Sequence, residues 1–103
     1  MIQSRAITKD RFDYWWQHAA DGLYILDEKY IKKAIGVISS DIVFEVIIDC
    51  DKNNDKLRTS YYIPKHDSSR LTEVSVEQFT DFLFESLPQY AEWFLFNTEW
   101  ISK

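Results

Sequence analysis

Only one cysteine, Cys50, occurs in the chain, so no intrachain disulfide can form and packing alone must hold the fold. A lone thiol in so small a chain reads as a buried hydrophobe, and its sparing use fits a reducing cytosol. Glycine and proline occur twice each, too few for a flexible linker, a low-complexity tract or a phosphate-cradling loop. No apolar run approaches the ~18 residues of a membrane-spanning helix. The opening Met1-Ile2-Gln3-Ser4-Arg5 lacks the apolar stretch and small-residue cleavage site of a secretory signal. No internal repeat stands out, and a cytoplasmic protein is expected.

Basic residues are also scarce, but only in one region. Residues 1–66 carry ten acids and ten bases, whereas residues 67–103 carry seven acids against Arg70 and Lys103, so the net charge of −5 belongs to the C-terminal third. Nucleic-acid binding usually requires a basic stripe. The nearest candidate, Lys29, Lys32 and Lys33, stands beside Asp27 and Glu28 and neutralises itself. No nucleic-acid partner is expected.

What the chain has in plenty is aromatic surface: four Trp, six Tyr and seven Phe in 103 residues, within a 46% apolar composition. That suits a single globular domain spanning 1–103, with a large apolar area carried by each buried position. Thr8 is placed to cap a first helix running to about Asp21, closed by Gly22, with Phe12, Trp15, Trp16, Ala19 and Leu23 on one face. Leu23 to Leu26 is a short strand or the lead into a second helix from Asp27 to Ile35, supported by a Glu28/Lys32 pair and stopped by Gly36.

Ile42 to Asp49 and Leu57 to Ile63 read as two strands of an antiparallel hairpin, joined by the polar stretch from Asp51 to Asp55 and ended by Pro64. Ser75 with Gln78 forms a capping box for a helix to about Leu87, with Val76, Phe79, Leu83 and Leu87 as its core face. Pro88 opens a last helix carrying Tyr90, Trp93, Phe94 and Trp100. The expected fold is α+β: a small antiparallel sheet, the hairpin of about 42–63, packed against an N-terminal helix and a C-terminal helical hairpin.

Motifs for catalysis are missing. Asp49-Cys50-Asp51-Lys52-Asn53-Asn54-Asp55 has the look of a calcium-loop opening, yet Asn54 stands where the turn glycine belongs and Ser60 where the bidentate glutamate belongs. A plain hairpin turn is the better reading. His18 and His66 have no partners at metal-ligand spacing, so neither metal nor cofactor is expected. Cys50 lies between two aspartates, a poor setting for a nucleophilic thiolate. Tyr14, His18 and Cys50 would line a pocket near the first helix if this were instead a small enzyme or ligand-binding domain, and the aromatic excess would suit a subunit of a larger assembly. Trp15 and Trp16 suggest a stacking platform only if exposed; the helical stripe places them in the core.

One pattern rises above background. Glu77, Asp81 and Glu85 recur every four residues along the capped helix, away from its apolar face, with no Lys or Arg to offset them. Phe84 stands beside the row, and Glu92 adds an acid on the next helix. An aromatic among carboxylates suits a surface that meets a basic protein, the ring as anchor and the acids for steering. Small acidic inhibitors of nuclease toxins, the immunity proteins, share this size, charge and lack of catalytic motifs, an analogy of class. The expectation is a non-enzymatic, antitoxin-type inhibitor whose partner-binding residues are Glu77, Asp81, Phe84, Glu85 and Glu92.

Overall fold

The computed structural model describes residues 4–18, 21–53, 56–65 and 70–96, with the side chains of residues 4, 5, 15, 16, 17 and 96 left aside. Along the chain run β1 (Ser4–Ile7), α1 (Lys9–His18), β2 (Gly22–Asp27), β3 (Ile31–Ile38), β4 (Asp41–Cys50), β5 (Leu57–Pro64), β6 (Leu71–Val74), α2 (Val76–Ser86) and α3 (Pro88–Phe96). The strands form a single six-stranded sheet in chain order. β1 pairs with β2 in parallel through the α1 crossover, and every later pair is antiparallel.

The α+β class stands, but the small antiparallel sheet does not: the sheet is mixed and has six strands. The hairpin of about 42–63 is present within it as β4 and β5, its fourth and fifth strands. The largest correction concerns residues 27–35, expected as a helix and found as a turn followed by most of β3. Glu28 and Lys32 do not form the helical pair. Lys32 Nζ lies 3.7 Å from Asp27, its cross-strand partner, while Glu28 Oε1 accepts from the Lys9 backbone N–H at 3.2 Å, at the start of α1. β-branched Ile31, Ile35, Val37 and Ile38 suit a pleated surface buried on both sides, and burial on both sides overrides the local helical spacing.

Gly36, expected to stop a helix, instead sits inside β3 opposite Phe44. A Cβ at this position would collide with the Phe44 ring, which crosses directly over it. The register shifts between Gly36 and Val37, so that β4 carries one extra residue there. β3 then turns into β4 through Ser39 and Ser40, both left-handed, with φ of 53° and 67°. That is the backbone of a two-residue hairpin turn that glycine and asparagine favour. The Asp21 carboxylate accepts from the Ser39 N–H and so braces the turn.

Two apolar layers lie on opposite faces of the sheet, as strand alternation requires. On one face, Leu23, Ala34, Phe44, Val46 and Ile48 pack against Phe79, Leu83, Leu87, Tyr90, Ala91 and Trp93 of the C-terminal helical pair. Phe44 meets Phe79 and Tyr90 edge to face, with centroids 5.8 and 5.1 Å apart. The Tyr90 hydroxyl donates to Val37 O at 3.1 Å and lies 3.2 Å from Gly22 O, pinning α3 to two strands. On the other face, Phe12 of α1 covers Tyr24, Leu26, Ile35 and Val37.

The local signals at the helix ends hold in part. Thr8 starts α1, accepting from Phe12 N at 2.7 Å through its carbonyl, but α1 ends at His18 and Gly22 opens β2. Ser75 and Gln78 make the expected capping box. Leu87 closes α2 and its carbonyl accepts from Tyr90 and Ala91, so Pro88 does occupy the first turn of α3. Of the expected α2 core face, Phe79, Leu83 and Leu87 are buried, whereas Val76, at the open first turn, is 40% exposed. The side chains of Trp15 and Trp16, together with Ala19, His66 and Trp100, lie outside the described residues. Among the described residues no helix is long and apolar enough to cross a membrane.

Candidate functional site

The outer face of α2 is built by its own periodicity. Phe79 and Leu83 turn toward the sheet, which forces Glu77, Asp81 and Phe84 onto the opposite side, at successive spacings of four and three. Glu77, Asp81 and Glu85 are all exposed, and Phe84 keeps 48% of its surface in solvent. Phe82, on the other shoulder, is half-buried against the core. Glu92 stands on the outward side of α3 beside Leu95, itself 54% exposed. Neither helix contains a Lys or Arg. The four acids and Phe84 therefore belong to the solvent side of the helical layer, Glu92 on a separate helix from the other three.

Tyr14, His18 and Cys50 do not come together. Tyr14 and His18 stack on the exposed side of α1 with ring centroids 4.5 Å apart, and His18 Nδ1 donates to the Tyr14 carbonyl at 3.1 Å. The depression near them, about 440 Å³, is lined by Asp10, Arg11 and Tyr14. Cys50 ends β4, where its N–H donates to Tyr30 O. β4 runs the same way as β2, so Cys50 lies at the end of the sheet where α1 begins. His18 closes α1, a helix of ten residues, and so lies at the other end, ~15 Å along the axis. In the segment after β4, Asp51 Oδ1 accepts from Asn53 N at 2.8 Å and strands rather than helices stand on either side, while Asn54 and Asp55 lie outside the described residues. No metal-holding group of His, Cys, Asp and Glu occurs among the described residues.

A second surface escaped the sequence reading. On the α1 face, the part of the sheet formed by β4, β5 and β6 opens into a cleft of about 640 Å³ lined by Ser40, Asp41, Ile42, Glu45, Ile47, Tyr62 and Leu71. Ile42, Ile47, Tyr62 and Leu71 are half-buried, so the floor is apolar. Glu45 is buried, with 8% of its surface accessible. Its Oε1 lies 3.4 Å from Lys33 Nζ, a cross-strand neighbour on β3. The same ammonium sits 5.2 Å from the centre of the Phe12 ring, so Lys33 joins α1 to the cleft. Burial holds the Glu45 carboxyl above the ordinary value, and the charge and hydrogen bond of Lys33 pull the other way. The signal available in the sequence was Glu45 itself, a charge in a β-branched run. Reading 27–35 as helix kept Lys33 off the strand that faces it.

No family profile, curated protein or solved structure matches this chain. What these surfaces do must therefore be argued from their chemistry.

Proposed function

We propose that this chain is a cytoplasmic, non-catalytic inhibitor of the immunity or antitoxin type, which neutralises a basic, nuclease-like protein by binding it through the outer face of α2. The observation that carries the reading is Phe84: a large aromatic side chain left 48% exposed beside exposed Asp81 and Glu85, on a helix with no base. An exposed ring among carboxylates offers an anchor that a partner can cover, and the acids supply long-range attraction to a cationic surface. A nuclease needs such a cationic surface to hold phosphate. Like charges four apart destabilise a helix by a few tenths of a kcal/mol per pair, and their retention here favours binding over stability as the reason for them.

The test is capture of a basic protein from the source cell at low salt, compared between the parent and a Glu77→Lys, Asp81→Lys, Glu85→Lys variant. The variant should fold at least as well, and should associate with the captured protein roughly tenfold more slowly. Added salt should shrink that gap, since the screening length falls to ~3 Å near 1 M. Unchanged association rate and affinity would remove the ridge from the binding surface.

A further inference from the structure

The cleft over β4–β6 lies on the opposite side of the sheet from α2, and it resembles in kind the half that α1 already covers. Three adjacent strands at ~4.8 Å spacing span about 10 Å between outer strand axes, the width of one α-helix. Its floor is apolar, with Ile42, Ile47, Tyr62 and Leu71 half-buried. The surrounding charge is negative. Asp41 and Glu45 line the cleft, and Glu73, the register partner of Tyr62, and Asp49 project from the same face. Lys33 pairs with Glu45, the Arg58 guanidinium lies 3.6 Å from Asp49, and exposed Arg70 adjoins Leu71 at the rim, which leaves the acids in excess among these groups.

Charge decides the occupant. A second copy offering the same face, or its acidic α2 face, would set carboxylates against carboxylates, which disfavours association. A helix with an apolar stripe and basic flanks satisfies both parts of the surface. We propose that the β4–β6 half of the α1 face is a docking surface for an amphipathic basic helix of a protein partner, laid beside α1. Its apolar side chains cover Ile42, Ile47, Tyr62 and Leu71, and its cations face Asp41 and Glu73. The helix completes a three-layer arrangement in which both faces of the sheet are covered along its width. This surface does not depend on the α2 ridge, and the two can be tested apart.

The probe is a Leu/Lys amphipathic helical peptide of about 14 residues, roughly four turns, with a scrambled peptide of identical composition as control. Both are titrated into isotopically labelled full-length protein at about 0.1 M salt, where the screening length is ~10 Å. Saturable amide shifts at Ile42, Glu45, Ile47, Tyr62 and Leu71 are expected with the amphipathic peptide. Ile47→Arg should weaken its binding by roughly tenfold, about 1.4 kcal/mol, while the α2 triple variant should change it less than about twofold. Leu71→Arg, on the edge strand, replaces Ile47→Arg if circular dichroism shows that the latter is unfolded. Shifts confined to α2, equal binding of the scrambled peptide, no saturable binding, or parental affinity in the arginine variant would each overturn the proposal.

Discussion

Glu45 and Gly36 are both buried within the sheet, one as a carboxyl and the other as a residue with no side chain. Glu45 is the buried acid among the described residues, and burial, the largest influence on it, favours its neutral form. The folded state therefore keeps this proton to a higher pH than the unfolded chain. The resulting contribution is fully present below the ordinary carboxylate value of ~4.3 and is lost as pH rises through the raised folded value. Urea titrations of the parent and Glu45→Gln from about pH 4 to about pH 7 should show the parent's relative stability falling as pH rises. A difference growing over that window would mean that the Lys33 attraction outweighs burial. Gly36→Ala pushes a methyl group into the fully buried Phe44 ring, and should cost about 1–3 kcal/mol by overpacking, read as a lower urea midpoint with an unchanged slope.

At the scale of elements, what the sequence discloses depends on whether a segment's neighbours are close in the chain. The capping box at Ser75 and Gln78 is local, and it is found as expected. The β4–β5 hairpin joins a β-branched run to a second β-like run across a short polar stretch, and this pairing too is found. β3 departs from the helix expected there because Glu28, Lys32 and Gly36 supply helical signals that only the sheet overrules: Lys32 pairs with Asp27, and Gly36 makes room for Phe44. β1 and β6, four residues each at the sheet edges, are too short for alternation to register.

Across the whole molecule, acidity is distributed over both sides of the sheet. The C-terminal excess of carboxylates could be counted directly from the chain, and its α2 members do emerge on the solvent side. The cleft could not be found that way, because Asp41, Glu45, Tyr62 and Leu71 gather only once β4, β5 and β6 are in register. The order of the six strands carries a different consequence, for biosynthesis. Each strand pairs with the one made just before it, so the sheet can be assembled progressively as the chain leaves the ribosome, with little loop-closure delay. The helices that cover Leu23, Ala34, Phe44, Val46 and Ile48 come after all six strands. Until they emerge, the nascent sheet presents an oily face with nothing over it, the species on which a cellular chaperone would act.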